Sequence, residues 1–254
     1  MKTMPKIALI TGATSGFGKA TAERFVREGW NVVLTGRRKD RLDALVSELG
    51  GADRAFSLCF DIRDEAATAA ALGELPEAFA GFSVLVNNAG LALGNGPAHE
   101  SDLTQWKTMI DTNITGLVTI TRLVLERLIA ERGLIVNLAS IASSWPYPGG
   151  NVYAGTKAFV RQFSLGLRSD LSSKGVRVTS IEPGLSESEF TLVRTGGNQA
   201  AYDKLYAGAN PLQPEDIAET IFWVASLPAR VNINSVEIMP VSQSWAPFAI
   251  HREG

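Results

Sequence analysis

Short runs of apolar and β-branched residues alternate with helix-like segments along almost the whole 254-residue chain. The first run, "KIALITG" at 6–12, precedes a helical segment over 17–29, and "NVVLTG" at 31–36 precedes another over about 39–49. Nearly continuous apolar strands are typical of a parallel sheet that is covered on both faces. Right-handed crossovers between such strands give a doubly wound sheet. The pattern therefore predicts an α/β fold of about seven parallel strands with helices on both faces.

The rest of the chain continues this alternation. Further strands are expected at 54–61, 82–90, 133–140, 176–184 and 233–240, and further helices at 63–75, 102–131, 151–173 and from Pro214 onward. The stretch 184–212 is the least regular part, and long irregular connections in compact domains are often functional. Because no linker, repeat or low-complexity segment divides the chain, we predict a single domain over 1–254 with a substrate lid at 184–212.

A glycine-rich stretch, "TGATSGFG" at 11–18, directly follows the first strand and opens the first helix. Gly12 permits a tight turn, Gly16 lets a phosphate approach the backbone, and Gly18 lets the helix pack closely on the sheet. The N–H groups of the helix N-terminus then face a pyrophosphate. An ordinary strand-to-helix turn is the alternative, but this context favours a dinucleotide site on a Rossmann-type fold. The turn residues assigned to that site are Gly12, Thr14, Ser15, Gly16, Phe17 and Gly18.

Two arginines follow the second strand, where a carboxylate would bind the ribose hydroxyls of NAD. Arg37 and Arg38, in "LTGRRKDR", suit a 2′-phosphate instead, so the sequence favours NADP. The alternative is a solvated, basic start to a helix. At the end of the third strand, Asp61 either accepts a hydrogen bond from the adenine amino group or caps the next helix, and Ile62 follows it at the same cofactor edge.

The stretch "NVYAGTK" at 151–157 places a tyrosine and a lysine four residues apart, on one face of a helix. A free tyrosine has a pKa of about 10. We expect the Lys157 ammonium to lower the pKa of the Tyr153 phenol toward values useful for acid–base chemistry, and an oxidised nicotinamide ring to lower it further. The small residues at 154–156 allow a cofactor and a substrate to approach. Taken alone, the two residues are equally well explained as an exposed amphipathic pair.

Polar residues at other strand ends bear on this choice, because open α/β sheets bind ligands at the carboxyl ends of their strands. Ser140 ends the fifth strand, where its hydroxyl can bind a substrate oxygen. The "NNAG" segment at 87–90 ends the fourth strand, and Gly90 permits close backbone approach. Asn113, in "DTNITG", can hold a water that connects Lys157 to solvent. Together these positions favour a functional tyrosine–lysine pair.

The chain resembles the short-chain dehydrogenase/reductase family in the order and spacing of "TGATSGFG", "NNAG", Asn113, Ser140, "YAGTK" and the "PG" at 183–184. The resemblance implies an NADP(H)-dependent enzyme that acts on a CH–OH or C=O group. The catalytic tetrad that it implies is Asn113, Ser140, Tyr153 and Lys157. The cofactor positions that it adds are Asn88, Ala89, Gly90, Tyr153, Lys157, Pro183 and Gly184.

A narrower resemblance is to the NADP-dependent 3-hydroxy acid dehydrogenases, which include serine and allo-threonine dehydrogenases, through "SSWPYPGGNVYAGTKAFVRQFSLGLRSDL" and "LPARVNINSVEIMPVSQSW". It implies hydride transfer between NADP(H) and a small 3-hydroxy acid or the corresponding aldehyde or keto compound. Reduction of sulfoacetaldehyde, a sugar-derived keto acid or another aldehyde is an alternative. A non-catalytic, dinucleotide-responsive regulator is an alternative from another class. The short, acidic "LSESEF" at 185–190 differs from the glycine-containing loop expected there, so the substrate stays open.

One arginine follows that loop, in "LSESEFTLVRTGGN". Substrates of the resembling dehydrogenases carry an acid group, which needs a cation in a partly dry pocket. Because Arg194 is the only cation in 183–197, we expect it to bind that acid. The alternative is a surface arginine paired with Glu187 or Glu189. The residues expected to wall the pocket are Trp145 and Tyr147.

Charge and residue usage argue against other classes of function. The formal net charge of −2 provides no basic surface for nucleic acid or an anionic membrane. The single cysteine, Cys59, is predicted to be buried, and the spacing of His99 and His251 indicates surface residues rather than metal ligands. Apolar runs are too short for a signal peptide or a membrane span. We therefore predict a cytoplasmic protein without a metal.

Two long helical segments predict an oligomer. The segments 102–131 and 151–173 carry more apolar positions than one sheet face needs, and the second has small residues that allow a partner helix to approach. The family resemblance implies a homotetramer built on these helices. The stretch "SQSWAPFAIHREG" at 242–254 is expected to dock near a neighbouring subunit's site.

Overall fold

The computed structural model describes residues 6–244. Its strands are β1 (Ile7–Ile10), β2 (Asn31–Gly36), β3 (Ala55–Cys59), β4 (Val84–Asn87), β5 (Leu134–Leu138), β6 (Arg177–Pro183) and β7 (Ser235–Ile238). They form one sheet in the order β3-β2-β1-β4-β5-β6-β7, and every neighbouring pair is parallel. The predicted number of strands and their parallel pairing are confirmed.

Helices cover both faces of this sheet. Within residues 6–244 they are α1 (Gly16–Arg27), α2 (Lys39–Glu48), α3 (Glu65–Gly73), α4 (Glu77–Ala80), α5 (Leu103–Ile110), α6 (Leu117–Ala130), α7 (Asn151–Leu171), α8 (Glu189–Arg194), α9 (Gln199–Tyr206) and α10 (Pro214–Ser226). On one face, Phe25, Leu42 and Ile221 pack against alternate strand residues. On the other face, Leu72 and Ile120 belong to a second apolar cluster. Two apolar layers around one parallel sheet confirm the doubly wound, Rossmann-type fold.

The strand order reverses between β1 and β4, which are neighbours in the sheet although β2 and β3 separate them in sequence. At such a point the connections leave in opposite directions and open a crevice at the carboxyl ends of the strands. Thr11 joins the two strand ends, because its hydroxyl accepts hydrogen bonds from the backbone N–H groups of Asn88 and Ala89, each at 2.9 Å. The crevice lies beside the glycine-rich turn.

The stretch 184–212, which the sequence predicted to be irregular, contains α8 and α9. Both helices begin at a side-chain cap: Ser188 Oγ accepts from the Phe190 N–H, and Asn198 Oδ1 accepts from the Ala201 N–H. Two glycines with positive φ, Gly196 and Gly197, separate them. Helices of 6 and 8 residues are too short to show a clear apolar period in sequence.

Cys59 is exposed, so the prediction of a buried thiol is wrong. It ends the edge strand β3, where side chains on the outer face contact solvent. His99 is exposed as well. His251 and most of the stretch 242–254 lie outside the described residues, so the predictions about them stay predictions.

Among residues 6–244, no helix combines the length and the apolarity that a bilayer crossing requires. The same range holds no group of three or more His, Cys, Asp or Glu side chains placed to share a metal ion.

Candidate active site

A cavity of about 730 Å³ opens at the carboxyl edge of the sheet, where the strand order reverses. Its described lining includes all but three of the predicted site residues, namely Gly12, Thr14, Ser15, Gly16, Phe17, Arg37, Arg38, Asp61, Ile62, Asn88, Ala89, Gly90, Ser140, Tyr147, Tyr153, Lys157, Pro183, Gly184 and Arg194. Gly18 and Asn113 are buried beside it. Trp145 is 42% exposed and does not belong to that lining, so its role as a wall of the pocket stays a prediction.

The glycine-rich turn has the geometry that a phosphate site needs. Gly12 and Gly16 have φ of 65° and 52°, a region that other residues rarely adopt. A Cβ on Gly18 would lie 2.5 Å from Asn88 Nδ2, so this glycine lets α1 pack closely on the end of β4. The side chain of Ser15, the N-cap of α1, makes no capping hydrogen bond. The first N–H groups of α1 lie beside the cavity and are not capped by Ser15. Uncapped N–H groups at a helix N-terminus are suited to bind a phosphate.

Arg38 connects the end of β2 to the glycine-rich turn. Its guanidinium donates to Thr14 Oγ1 at 2.7 and 3.1 Å and to Ser15 Oγ at 3.0 Å. Arg37 is more exposed, with Nη1 3.6 Å from the Asp61 carboxylate. Both arginines line the end of the cavity where the sequence predicted a 2′-phosphate.

The Asp61 carboxylate is held mainly by Arg63, which donates to it through Nη2 at 2.6 Å and through Nε at 3.0 Å. The hydrogen bond from Arg63 lowers the pKa of the Asp61 carboxyl. Asp61 does not cap α3, so that alternative is wrong: the cap is Asp64, whose Oδ1 accepts from the Ala67 N–H at 2.9 Å. Adenine binding by Asp61 stays a prediction.

Ser140 and Tyr153 meet at the inner end of the cavity. Ser140 follows β5, and its Oγ accepts from the Ala142 N–H at 3.2 Å and donates to Pro183 O at 3.4 Å. Tyr153 lies in the first turn of α7, and the Ser140 hydroxyl is close enough to lower the pKa of its phenol. The two hydroxyl groups therefore face one place in the cavity, as the binding of a single carbonyl oxygen requires.

Lys157 lies one turn further along α7 and is buried, with 6% of its surface exposed. Its Nζ donates to Leu138 O at 2.7 Å and lies 5.8 Å from the centroid of the Tyr153 ring. A Cβ on Gly90 would lie 3.5 Å from this Nζ and 3.2 Å from Asn113 Oδ1. Gly90 thus lies between the two polar groups, and a larger residue there would crowd both.

Asn113 lies in a π-helical segment, Asp111–Gly116, that joins α5 to α6. The predicted helix 102–131 is therefore interrupted in its middle, and π-helical insertions are frequent at functional sites. The Asn113 side chain donates to Leu91 O at 2.8 Å and to Thr156 Oγ1 at 3.0 Å, and accepts from the Leu91 N–H at 2.8 Å. These bonds fix the amide between the β4 end and α7, whereas its role toward a water stays a prediction.

The protein's own groups raise the pKa of the Tyr153 phenol rather than lower it. Burial is the main cause and the neighbouring Tyr147 adds to it, while the hydrogen bond with Ser140 and the charge of Arg194 act in the opposite direction. Burial also lowers the pKa of the Lys157 ammonium to about 8. The groups that lower the Tyr153 pKa are Ser140 and Arg194 rather than Lys157, and desolvation outweighs both, so the expected lowering by Lys157 is not found. A neutral phenol results, which is the form that donates a proton.

We expect Lys157 to make the free energy of unfolding rise with pH. Its pKa is about 8 in the folded protein, against 10.5 for an ordinary lysine, so the folded state binds fewer protons between these values and gains stability as the pH rises through them. Between about pH 7 and about pH 9.5, the wild type should gain about 2 kcal/mol relative to Lys157→Met. Urea unfolding of both proteins at each pH measures this, and identical pH dependence would contradict it.

Arg194 ends α8 beside the two cavity tyrosines. The carbon of its guanidinium lies 5.9 Å from the ring centroid of Tyr153 and 5.4 Å from that of Tyr147. Its Nη1 donates to Tyr147 Oη at 3.0 Å and its Nε donates to Gly94 O at 3.2 Å. Arg194 therefore lies inside the cavity wall rather than in a surface ion pair.

Glu187 and Glu189, the alternative partners considered for Arg194, form hydrogen bonds with other side chains. Glu187 Oε1 accepts from Tyr202 Oη at 2.9 Å. Glu189 accepts from Arg41 Nη1 at 2.9 Å and from Arg38 Nη1 at 3.3 Å. The pair formed by Arg41 and Glu189 could not be predicted, because 148 positions separate the two residues and no local pattern links them.

Gln243, which the sequence did not mark as a site residue, holds the turn after β6. Its Oε1 accepts from the Leu185 N–H at 2.7 Å. The Gly184 N–H donates to Ile238 O at 2.8 Å, and a Cβ on Gly184 would collide with Gln243 Oε1 and lie 2.8 Å from Met239 Cγ. The chain after β7 thus fixes this turn, and its close approach leaves room only for glycine.

Residues 6–195 match the protein-family model described as short chain dehydrogenase. The chain is 63% identical over 245 residues to a serine 3-dehydrogenase of Agrobacterium fabrum, covering 96% of this chain and 98% of that protein. It is 56% identical to sulfoacetaldehyde reductase 2 of Chromohalobacter salexigens, over 98% of this chain and 100% of that one. Among solved structures, the closed form of serine dehydrogenase complexed with NADP+ is similar with a TM-score of 0.93 and 50% identity, covering 97% of this chain and 100% of the other.

Proposed function

The chain belongs to the short-chain dehydrogenase family, and from this premise we propose that it is an NADP(H)-dependent oxidoreductase of small 3-hydroxy acids and the corresponding aldehydes or keto compounds. The observation that carries the proposal is the position of the Ser140 and Tyr153 hydroxyls. They meet in a cavity that also holds Lys157 and Arg194 and that ends at Arg37 and Arg38. The relatives named above have activities of this kind.

The residues of the cavity fit NADP. The N-terminus of α1 suits the pyrophosphate, and a Cβ on Gly16 would have only Ser188 Cβ nearby among the described atoms, at 3.5 Å. Arg37 and Arg38 suit the 2′-phosphate. Lys157 Nζ donates one of its three N–H groups to Leu138 O, which leaves two N–H groups for the nicotinamide ribose. When bound, the cofactor donates or accepts the hydride and, in its oxidised form, contributes a positively charged ring.

The acid–base chemistry is assigned to Tyr153 Oη. In the direction of reduction, Ser140 Oγ and Tyr153 Oη donate hydrogen bonds to the substrate carbonyl oxygen, and Tyr153 Oη transfers its proton to that oxygen. In the direction of oxidation, the same atom accepts the hydroxyl proton. Lys157 holds the ribose, and Asn113, across Gly90 from Lys157, holds the water through which protons exchange with solvent.

Arg194 is assigned to the acid group of the substrate. Its three hydrogen bonds to Tyr147 Oη, Gly94 O and Gly149 O use three of the five N–H donors of a guanidinium, so one N–H on each terminal nitrogen remains for an anion. Two parallel N–H groups suit a carboxylate or a sulfonate equally. Reduction of sulfoacetaldehyde is therefore the second candidate, and the 56% identical relative favours it. The segment 184–212, which carries Arg194, serves as the lid.

We expect Arg194→Ala to raise KM for an acidic substrate at least tenfold, which corresponds to about 1.4 kcal/mol. The reason is the loss of the cation that faces the acid group. KM for a neutral aldehyde of similar size and Kd for NADP should change little. Steady-state kinetics on a charged and a neutral substrate provide the measurement. Equal losses on both would show that Arg194 only orders the lid.

A carbonyl panel tests the proposed function. NADPH and NADH oxidation is followed with sulfoacetaldehyde, malonic semialdehyde, a keto acid and neutral aldehydes, and NADP⁺ reduction with serine and other 3-hydroxy acids. The proposal expects turnover of small acidic substrates with NADP(H) preferred. Tight NADPH binding without turnover of any substrate would instead favour the regulator.

We also propose a cytoplasmic homotetramer. Exposed apolar side chains on α5, α6 and α7 support an interface between copies, namely Leu103, Ile110, Leu123 and Phe159. The exposed free thiol of Cys59 suits a reducing compartment. A monomeric mass by light scattering would refute the tetramer, and cell fractionation tests the location.

A further inference from the structure

One carboxylate connects the lid to Arg38, which bonds to the glycine-rich turn, and to Arg41 on α2. Glu189, the first residue of α8, accepts from Arg41 Nη1 at 2.9 and 3.1 Å and from Arg38 Nη1 at 3.3 Å. These bonds join positions about 150 apart in sequence, 151 for Arg38 and 148 for Arg41. Glu189 also lines the cavity, together with Arg37 and Arg38.

The same short helix reaches the opposite end of the site. Helix α8 has six residues, from Glu189 to Arg194, and therefore spans only about 9 Å at the usual rise. Glu189 contacts Arg38, one of the two arginines that suit the 2′-phosphate, and Arg194 contacts Tyr147 beside Tyr153. A change in the position of Glu189 therefore moves the guanidinium assigned to the substrate.

A bound 2′-phosphate has to share Arg38 with this carboxylate. A phosphate monoester carries nearly two negative charges at neutral pH. Within the described part of the chain, Glu189 is the acidic residue bonded to Arg38 and Arg41, since Asp61 is bonded to Arg63 and lies near Arg37. The 2′-phosphate and Glu189 thus repel each other and compete for donors, whereas the 2′-hydroxyl of NAD brings no such charge.

We propose that Glu189 is a specificity-determining residue with two opposed effects: it holds α8 and Arg194 over the substrate, and it weakens the binding of the NADP 2′-phosphate through its charge and by occupying Arg38. The proposal rests on the proposed function, because it takes NADP as the cofactor. A residue that only stabilised the lid would leave cofactor discrimination unchanged. A residue that only completed the cofactor site would favour NADP rather than oppose it.

The test variant is Glu189→Gln, which removes the charge and keeps the shape. We expect Kd for NADP to fall two- to fivefold at low ionic strength, the range of an exposed ion pair, and Kd for NAD to stay constant. The effect on NADP should disappear at about 1 M salt, because screening acts over about 3 Å there. Because Glu189 holds α8, KM for an acidic substrate should rise severalfold in the variant. For the same reason, trypsin should cleave the nucleotide-free variant faster than the wild type after Arg194 or Lys204.

Glu187→Gln is the matched control, since Glu187 is also acidic and lies in the same segment but bonds to Tyr202 and Gln213 rather than to an arginine. It should leave Kd for NADP unchanged. Calorimetry measures both dissociation constants without turnover. The proposal would be overturned if Glu189→Gln bound NADP as well as or more weakly than the wild type, or if Glu187→Gln tightened NADP binding equally. In either case, a wild type that prefers NADP would leave the proposed function intact. A wild type that binds NAD and NADP equally would overturn both.

Discussion

Replacing Tyr153 by phenylalanine is expected to lower kcat by about 10²–10⁴-fold, the usual contribution of a general acid or base. The substitution keeps the ring that packs against Phe190 at a centroid distance of 5.6 Å and removes the hydroxyl whose pKa Ser140 lowers. Burial raises the pKa of this phenol, so the proton is present at neutral pH and the variant loses the donor itself. Single-turnover reduction of a carbonyl substrate by bound NADPH provides the measurement.

Tyr202→Phe is a suitable control for this variant. Tyr202 donates to Glu187 within the lid and is not part of the described cavity lining, so its loss tests the effect of removing a phenol nearby. Kd for NADPH and the melting temperature should stay close to wild type in both proteins. If Tyr153→Phe retained more than about a tenth of the wild-type rate, acid–base catalysis by Tyr153 would be excluded.

The second large effect is expected from Arg37→Asp combined with Arg38→Ala. Each arginine offers a charge-assisted contact to the 2′-phosphate, worth about 1.5–3 kcal/mol, so the loss of both should reduce kcat/KM with NADP by at least about a hundredfold. The new carboxylate at 37 can accept from both ribose hydroxyls of NAD, so kcat/KM with NAD should rise. The cofactor preference should therefore reverse.

The two substitutions should also be made singly, because Arg38 has a further role. It donates to Thr14 and Ser15, so Arg38→Ala loosens the glycine-rich turn for either cofactor, whereas Arg37→Asp does not. Arg122 lies on the outer surface of α6, 3.9 Å from Glu126, so Arg122→Ala controls for the loss of one charge in Arg38→Ala and Arg122→Asp for the change of two in Arg37→Asp. Equal kcat/KM of the wild type with NAD and NADP would remove the basis of this prediction.

The sheet and the positions of the site residues could be predicted because both are encoded by local patterns. Buried parallel strands need uninterrupted apolar runs, as in β1 and β5, and glycines mark places where backbone approach is close, as at Gly18. Parallel strands also bring their carboxyl ends together, which places Ser140 and the Asn88 turn at one edge. These inferences need no knowledge of packing between distant side chains.

The features that were missed or wrong depend on such packing. The bonds from Arg38 and Arg41 to Glu189 exist only because α8 folds back over the glycine-rich turn. The exposure of Cys59 follows from the position of β3 at the sheet edge, which an apolar run does not reveal. The raised pKa of Tyr153 likewise follows from desolvation, with a smaller contribution from Tyr147, and spacing along a helix says nothing about desolvation.

The Gln243 contact bears on when a newly synthesised chain can first catalyse the reaction. The turn at Pro183–Gly184 is anchored by a side chain that lies 58 positions after Leu185. At the usual ribosomal rate of about 5–20 residues per second, the anchor leaves the ribosome about 3–12 s after the turn. A nascent chain that has folded through β6 already holds Ser140 and Tyr153 at the sheet edge, yet its nicotinamide side is still open. Competence for the reaction is therefore acquired late in translation, after β7 has joined the sheet.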